Sequence, residues 1–241
     1  MRPFLTATWQ HLVMLNFAAD PAVLEPLVPR GVVLDDFDGQ HFVSIVGFQF
    51  LNTKVRGIPA LCYSNFDEVN LRFYVRREVG SEVRRGVVFV KEAVPFPIVA
   101  WVANRIYHEH YVSAQMSLSM AMSIKPHAGH ASMQYGWKHG GRWHTIGAST
   151  SCEPTLPDPG SLTSFITEHY WGYTKRRDGR TSEYKVEHPP WRVWPAERSE
   201  YDIDAAGFYG PAFAKMLSEP PVSAFVAEGS PVAVFRSEIV R

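Results

Sequence analysis

One stretch of the sequence places a carboxylate, an amide and a guanidinium at regular spacing. Polar and apolar residues alternate strictly from Glu68 to Arg76. A period of two is typical of a β-strand with two unlike faces. On such a strand Glu68, Asn70 and Arg72 point to the same side, with about 7 Å from one to the next. All three side chains are therefore within reach of one bound molecule, to which they offer a base, an amide and an anion-binding group.

Two interpretations of this strand stay open from the pattern alone. The first is an edge or surface strand with a solvated face. The second is a barrel strand whose polar face lines an internal cavity. In a cavity Glu68 and Arg72 would need each other, because a buried carboxylate is costly unless it is paired or hydrogen-bonded. Such a pair is either structural or a site where the carboxylate binds or deprotonates a small molecule.

A lysine at the end of an apolar strand offers a different chemistry. Lys91 directly follows the apolar run from Val87 to Val90. A desolvated lysine loses its proton more readily and can then form a Schiff base with a carbonyl compound. Glu92 is the next residue, however, and a strand end is where a lysine reaches water. A solvated or ion-paired Lys91 is therefore the favoured interpretation.

Metal and nucleotide-cofactor chemistry have no support in the motifs. His108, His110, His127 and His130 form neither an H-E-x-x-H motif nor a Cys/His zinc spacing. The sequence also has no G-x-G-x-x-G, no phosphate-binding loop and no G-x-S-x-G. We therefore expect no metal and no cofactor.

The totals favour a cytoplasmic protein and give no support for nucleic acid or a membrane as partner. Lys+Arg and Asp+Glu both number 24, and this balance gives no electrostatic reason to expect a nucleic-acid partner. A net charge near zero also permits a homo-oligomer. Cys62 and Cys152 cannot form a disulfide framework, so reduced thiols are expected. The N-terminus has no apolar signal-peptide core. The sequence also contains no run of 18 apolar residues, so no transmembrane helix and no membrane partner are expected.

The elements that must position these residues are mostly strands, arranged in one domain over residues 1–241. Asp20-Pro21 and Ser161 are typical helix starts, and Asp38-Gly39 and Asp178-Gly179 are typical hairpin turns. Helices are predicted after Asp20, from Pro97 to near Tyr107 with most sides buried, after Ser161 and over 205–217. Strands are predicted at 9–17, 32–34, 42–50, 66–77, 87–92, 111–124, 131–138, 142–148, 173–177, 181–186, 222–226 and 232–239. The fold class is therefore mostly β, of the α+β type.

Several motifs together resemble those of the YqjF-like family of uncharacterised bacterial proteins. The resemblance runs from about Trp9 to about Phe235. The motifs that carry it are Leu24-Glu25-Pro26-Leu27-Val28-Pro29-Arg30-Gly31, Glu68-Val69-Asn70-Leu71-Arg72-Phe73-Tyr74-Val75-Arg76, Gly86-Val87-Val88-Phe89, Gly160-Ser161-Leu162 and His188-Pro189-Pro190-Trp191.

That family is similar to acetoacetate decarboxylase, which implies a mostly antiparallel, cone-shaped β-barrel around a central cavity with flanking helices. The decarboxylase lysine lies in a Pro-Lys-Lys segment after a helix. His110-Tyr111-Val112 matches that segment here, so Tyr111 takes the Schiff-base position. The family usually has Leu-Pro-Tyr there, and this chain departs from it at Glu109 and His110.

The resemblance carries over only one of the decarboxylase's four functional positions. The cavity glutamate maps onto Glu68. The early arginine falls near Gln10, and the other glutamate falls near Val43 or Ser44. The resemblance therefore implies the fold but not decarboxylation through an imine.

The leading hypothesis is a soluble barrel that binds a small carbonyl or carboxylate compound. Glu68 and Tyr111 are its candidate catalytic residues, as base and hydrogen-bond donor, and Arg72, Asn70 and Gln10 its candidate ligand-binding residues. Whether this protein is an enzyme or a non-catalytic sensor or interaction protein stays open. A third and weaker hypothesis is Schiff-base chemistry at Lys91.

Overall fold

The chain is predominantly β, as predicted. The computed structural model describes residues 2–106, 108–125 and 128–240. The strands are β1 (Leu5–Ala19), β2 (Val33–Leu34), β3 (His41–Val55), β4 (Ile58–Pro59), β5 (Phe66–Val79), β6 (Glu82–Val94), β7 (Tyr111–Ser113), β8 (Gln115–Lys125), β9 (Ala128–His139), β10 (Arg142–Thr150), β11 (Trp171–Lys175), β12 (Thr181–Glu187), β13 (Val193–Pro195), β14 (Arg198–Asp202), β15 (Ser223–Val234) and β16 (Glu238–Ile239).

The helices are short and lie between the strands. They are α1 (Pro21–Leu24), α2 (Pro97–Ile106), α3 (Leu162–Thr167), α4 (Ala205–Tyr209) and α5 (Pro211–Ala214), with 3₁₀ turns at Glu25–Leu27 and Met216–Ser218. The side chains of Asp20 and Ser161 cap α1 and α3 as predicted, since each accepts a hydrogen bond from a backbone N–H of the first turn. None of the helices in the described residues has the length and apolar character needed to span a membrane.

The large sheet closes on itself. Its neighbouring strands follow the order β13-β15-β1-β3-β5-β6-β11-β12-β16, and β12 also pairs with β15, where Val186 lies opposite Val234. This extra pairing joins the strands from β15 through β12 into an irregular, cone-like ring. The pairs β6–β11 and β6–β7 are parallel, and the other pairs along the ring are antiparallel.

A smaller sheet packs against the outside of this ring. It has the order β14-β10-β9-β8. Its Tyr135 and Trp137 share one buried cluster with Leu71 and Phe73 of β5, and we call this cluster the outer core. The sheets approach closely, because a Cβ atom on Gly47 would lie only 2.6 Å from the Tyr135 ring. Glycine at this position therefore allows the tight packing.

The alternation of β5 separates the outer core from the inside of the ring. Val69, Leu71, Phe73 and Val75 lie in the outer core. Glu68, Asn70 and Arg72 line a cavity inside the ring. The cavity interpretation of this strand is the one that matches the structure.

Four details of the predicted elements are wrong. The first is the hairpin predicted across Asp38-Gly39. The two residues do form a turn, with positive φ angles of 51° and 77°. The turn closes only the single bridge between Phe37 and Gln40. β2 does not pair with β3 but with β5, where Arg76 forms an ion pair with the buried Asp35.

The second correction concerns α2. Ile98 and Trp101 are 44% and 62% exposed, so the helix is not buried on most sides. It covers one end of the ring, where the half-buried Val99, Val102 and Ala103 line the cavity, and among its described side chains only Ala100 is buried. The predicted end near Tyr107 lies outside the described residues.

The remaining corrections concern strand boundaries. The alternation predicted from 111 to 124 divides at Ala114 into β7, which pairs with β6, and β8, which pairs with β9. Ser117 and Ser119, which belong to the small-residue face of β8, are exposed. The two C-terminal strands predicted at 222–226 and 232–239 are instead the continuous β15 followed by the short β16. Gly229, within β15, has a φ of 81° and approaches the backbone of Trp9 too closely for a Cβ atom.

Candidate functional site

A cavity of about 380 Å³ lies inside the ring. Most of its wall is apolar and aromatic, and Tyr63 and Ile98 lie at its mouth because they line it while being 39% and 44% exposed. The aromatic wall residues include Trp9, Phe48, Phe50, Phe66, Phe89, Trp171 and Trp191. The polar wall residues include Glu68, Asn70, Arg72, Glu92, Glu109, Tyr111, Thr167, His169, Tyr184 and His188.

Glu68 is held inside this cavity by two hydrogen bonds. It is 2% exposed. The Tyr111 hydroxyl donates to its Oε2 at 3.0 Å, and the Asn70 amide nitrogen donates to its Oε1 at 3.0 Å. β5 supplies Glu68 and Asn70, and β7 supplies Tyr111 through its parallel pairing with β6. The structure thus brings these three sequence-predicted residues into direct contact.

Arg72 lines the same cavity but does not pair with Glu68, contrary to expectation. Within the described residues no carboxylate lies within ion-pair distance of its guanidinium. Its Nη2 donates to the Ile166 carbonyl at 3.4 Å, and its guanidinium lies 5.7 Å from the centre of the Tyr74 ring. Its Nε is buried without a hydrogen-bond partner. Because Asn70 and Tyr111 satisfy the Glu68 carboxyl, the carboxyl does not need the guanidinium.

Three positions taken from the resemblance lie away from the cavity. Gln10 is half-buried on β1 opposite Gln49, and it is not among the residues that line the cavity. Val43 lies in the outer core. The Ser44 hydroxyl is hydrogen-bonded at 2.5 Å to both the Asn16 side chain and the Tyr74 hydroxyl.

Two further buried glutamates line the cavity, and neither was predicted as a site residue. Glu92 is 1% exposed, and its Oε2 has no hydrogen-bond partner within the described residues. Glu109 is 8% exposed, and its Oε1 accepts hydrogen bonds from Thr174 at 2.7 Å and from Tyr184 at 3.2 Å. Glu109 precedes Tyr111 by two positions, and residues two apart in an extended chain point to the same side. This spacing was the signal in the sequence that could have identified Glu109 as a cavity residue.

Burial shifts the pKa values of all three carboxyls upward. Burial raises the pKa of Glu68 to about 7, against the opposing hydrogen bonds from Asn70 and Tyr111. Burial, together with the charge of Glu68, raises the pKa of Glu109 to about 7. The pKa of Glu92 lies well above its ordinary value because of burial and the charges of Glu109 and Glu68. Carboxyls with such pKa values can both donate and accept protons near pH 7.

Lys91 does not reach the cavity. Its ammonium donates a hydrogen bond to the Phe208 carbonyl and lies 4.8 Å from the centre of the Phe208 ring, in the outer core. Burial lowers its pKa. This placement, on the face of β6 opposite to Glu92, removes the geometric basis for Schiff-base chemistry at Lys91.

The described residues contain no group of three or more His, Cys, Asp or Glu arranged to hold a metal ion. His127, one of the loop histidines considered above, lies outside the described residues. Cys62 and Cys152 are free and exposed. The chemistry of the cavity therefore has to be sought in its carboxyls, phenols, guanidinium and imidazoles.

Unpartnered polar atoms are concentrated in the cavity wall. Buried polar side-chain atoms of folded proteins are nearly always hydrogen-bonded. In the part of the chain that the structure describes, many of the exceptions belong to residues that line this one cavity. These atoms are Trp9 Nε1, Thr53 Oγ1, Asn70 Oδ1, Arg72 Nε, Glu92 Oε2 and both ring nitrogens of His169.

Comparison with known proteins identifies relatives along most of the chain. Residues 6–231 match DUF2071, a family described as "Uncharacterized conserved protein". The uncharacterized protein YqjF of Bacillus subtilis (strain 168) is 26% identical over 201 residues, which cover 79% of this chain and 75% of that protein.

Solved structures with the same fold are acetoacetate decarboxylase-like. An acetoacetate decarboxylase-like enzyme from Sphingomonas wittichii RW1 superposes with a TM-score of 0.67 at 13% identity, covering 100% of this chain and 94% of that one. Acetoacetate decarboxylase from Legionella pneumophila gives a TM-score of 0.68 at 9% identity, covering 100% and 88%. The enduracididine biosynthesis enzyme MppR, in complex with the condensation product of pyruvate and imidazole 4-carboxaldehyde, gives 0.69 at 11%, covering 99% and 90%. At these identities the likeness shows the fold, as the sequence resemblance implied.

Proposed function

The chain belongs to the DUF2071 family, and we propose that it binds a small, largely apolar carbonyl or carboxylate compound in its central cavity without forming a Schiff base. The observation that carries this proposal is the concentration of unpartnered polar atoms in an otherwise aromatic cavity. Leaving such groups unsatisfied is costly, and ligand sites typically combine apolar walls with a few convergent polar groups. A molecule with an apolar body and one or two oxygen atoms complements this wall.

The polar groups suggest how such a ligand is oriented. The Tyr111–Glu68–Asn70 group offers donors and acceptors within one hydrogen-bonded cluster. Arg72 offers a guanidinium with an unpartnered Nε. A carbonyl or carboxylate oxygen is therefore placed among these residues, and the apolar part of the ligand runs toward Phe66 and Ile98 at the mouth. The fold relative MppR was solved in complex with pyruvate, which is a compound of this class.

The binding test uses the tryptophans of the cavity wall as reporters. Trp9, Trp171 and Trp191 line the cavity, so a ligand inside it changes their fluorescence. The probes are pyruvate, 2-heptanone, octanoate and octanamide. We expect saturable binding of at least one longer probe, and a weaker affinity in Glu68→Gln. If no probe changes the fluorescence or the melting temperature, the proposal is wrong.

The matched control for Glu68→Gln is Glu78→Gln. Both glutamates belong to β5, but Glu78 is exposed and does not line the cavity. Glu78→Gln is expected to bind every probe with wild-type affinity. Equal losses in both variants would show that the effect comes from a general change in β5 rather than from the cavity carboxyl.

A second candidate function is proton transfer next to a carbonyl group. It is favoured by the pKa of Glu68 of about 7, which suits a general base at neutral pH. In this reaction the C–H bond next to the ligand carbonyl breaks, the proton passes to Glu68, and the electron pair moves onto the carbonyl oxygen. The test is exchange of these hydrogens in 2-heptanone for deuterium in D₂O, followed by NMR.

The exchange experiment separates an enzyme from a non-catalytic sensor. Exchange that is faster with wild-type protein than with Glu68→Gln supports the enzyme interpretation. Binding of 2-heptanone without accelerated exchange supports the sensor interpretation and excludes Glu68 as a base for this probe.

A further inference from the structure

A second polar group, formed by His169 and Asp35, belongs to the cavity wall. The His169 side chain is 1% exposed and lines the cavity. Its Nε2 lies 3.5 Å from Oδ2 of the fully buried Asp35 carboxylate, and neither ring nitrogen has a hydrogen-bond partner within the described residues. The rings of Tyr74 and Phe165 pack against it at 4.7 Å and 4.9 Å between centroids. The imidazole is therefore fixed in place, with Nε2 directed toward a carboxylate.

Arg72 lies beside this group. Its guanidinium lies over the same Tyr74 ring that packs against His169. Its Nη2 bonds to Ile166 O, in the last turn of α3, which ends two residues before His169. Burial is the main cause that lowers the pKa of His169, and the nearby charge of Arg72 lowers it further. Arg72 and His169 thus form one region of the wall.

The carboxylates around this region form no direct ion pair with Arg72 within the described residues, and only the charge of Glu68 acts on it from across the cavity wall. Asp35 pairs with Arg76 at 3.1 Å and with Arg85 at 3.2 Å, and Asp36 pairs with Arg76 at 3.2 Å. Burial lowers the pKa of His169 although Asp35 raises it, so the imidazole is neutral at pH 7. Arg72 is half-buried and its Nε is fully buried without a hydrogen-bond partner, so an anion at this place gains from both Arg72 and a protonated His169.

We propose that Arg72 and His169 form a subsite for a carboxylate group of the ligand, with Asp35 as the residue that positions the imidazole. This inference rests on the proposed function, and it names the anionic group and its binding residues. Nε2–H of His169 faces Asp35, which leaves Nδ1 for the ligand. A ligand that enters as a carboxylic acid transfers its proton to Nδ1 and remains as a carboxylate between the imidazolium and the guanidinium. A ligand that enters as the anion binds together with one proton from solvent.

The test compares two probes that differ only in charge. Octanoate carries a carboxylate, and octanamide carries a neutral group of similar size. The measured quantity is the ratio of their dissociation constants, obtained by tryptophan fluorescence and by calorimetry. We expect wild-type protein to prefer octanoate by about tenfold or more, since two charge-assisted contacts are gained.

The variants are Arg72→Met and His169→Gln, each checked by circular dichroism and thermal melting. Both are expected to reduce the preference for octanoate at least fivefold while octanamide still binds. His144→Gln is the matched control. His144 is also buried, with an unpartnered Nε2 and a pKa lowered by burial, but it stacks on Trp137 in the outer core and does not line the cavity. His144→Gln is expected to keep the wild-type ratio.

Every outcome decides the proposal. Equal affinities for octanoate and octanamide in wild-type protein would overturn the carboxylate subsite and leave the proposed function standing. A preference that survives in both Arg72→Met and His169→Gln would overturn it as well. If octanoate does not bind at all, the carboxylate subsite fails, and the proposed function fails with it only if pyruvate and 2-heptanone do not bind either. If a variant unfolds, two measurements on the wild-type protein decide whether the subsite exists. One is the ratio of the two dissociation constants. The other is the shift of the His169 ring NMR signals, which octanoate should produce and octanamide should not.

Discussion

The side chains of Lys91 and Glu92 lie on opposite faces of β6, and a β-bulge at Val90 decides which of the two faces the cavity. Leu71 is paired with Lys91 and Arg72 with Phe89, so Val90 is an extra residue without a partner on β5. This β-bulge shifts the alternation by one position. Phe89 and Glu92 therefore line the cavity, while Lys91 lies against Phe208 in the outer core. The bulge decides whether an acid or an amine enters the cavity.

Deletion of Val90 tests the role of the bulge. The deletion leaves Phe89 opposite Arg72 and Lys91 opposite Leu71 with no extra residue between them, so regular alternation keeps Lys91 in the outer core and Glu92 in the cavity. We therefore expect the variant to fold and to lose only about 1 kcal/mol more free energy of unfolding than Val90→Ala, which shortens the same side chain but keeps the bulge. Urea denaturation measures both losses. A loss of at least about 3 kcal/mol beyond that of Val90→Ala, as expected if Lys91 and Glu92 exchanged faces, would contradict this account of the bulge.

Lys91 should not form an imine. Its ammonium lies outside the cavity and is hydrogen-bonded to the Phe208 carbonyl. Incubation with pyruvate and borohydride, followed by peptide mass spectrometry, is expected to give no adduct at this position. An adduct at Lys91 that forms faster than at exposed lysines such as Lys54 would contradict the placement.

The stability of the protein should depend on the buried glutamates in an unusual direction. The pKa values of Glu68 and Glu109 rise from an ordinary value of 4.5 to about 7, so between these pH values the folded state binds more protons than the unfolded state. The contribution of each group therefore falls as pH rises from about 4.5 to about 7. Relative to wild type, Glu109→Gln should gain stability across this range, by roughly 2 kcal/mol.

The measurement is the difference in urea midpoint between wild type and Glu109→Gln at pH 5 and pH 8. The difference removes the contributions of groups that titrate equally in both proteins, such as His144 and His188, whose pKa values are lowered. Glu187→Gln, at an exposed position outside the cavity, is the control and should show no such trend. A difference that does not change with pH would show that Glu109 titrates normally.

Gly172 supports the cavity wall from behind Tyr184. The two residues are cross-strand partners on β11 and β12, and a Cβ atom on Gly172 would collide with the Tyr184 phenol ring. Gly172→Ala is therefore expected to displace this ring from Glu109, to destabilise the protein by about 1–3 kcal/mol and to weaken probe binding. Gly147→Ala, whose Cβ would lie 3.1 Å from Met133 O in the small sheet, is the comparison and should leave probe affinity unchanged. Unchanged affinity in Gly172→Ala would contradict this role of the ring.

Alternation was a reliable guide where a strand is regular. The two faces of β5 follow from the sequence, because each apolar residue from Val69 to Val75 has its polar neighbours on the other side. Caps at Asp20 and Ser161 were equally predictable, since a short polar side chain satisfies the backbone N–H groups of a first turn. The resemblance correctly implied the fold. It matched Tyr111 and Glu68 to two functional positions of the decarboxylase, and the two side chains are hydrogen-bonded to each other here.

Long-range contacts account for what the sequence did not predict. Glu92 enters the cavity only because of the bulge at Val90, and no local signal marks that residue. His169 lines the cavity, and its neighbour there, Asp35, is 134 positions away in the chain. The guanidinium of Arg72 stays unpaired because Asn70 and Tyr111 already satisfy Glu68. Each case depends on which strands become neighbours, and that is decided by the closed ring.

The central claim is that the cavity inside the ring binds a small molecule through its polar wall. The most direct measurement is a crystal structure of the protein grown with octanoate. We predict electron density for the probe inside the ring, with its carboxylate within hydrogen-bond distance of Arg72 and its chain running toward Phe66. Octanoate found only on the outer surface, at a concentration that saturates the fluorescence change, would contradict the claim.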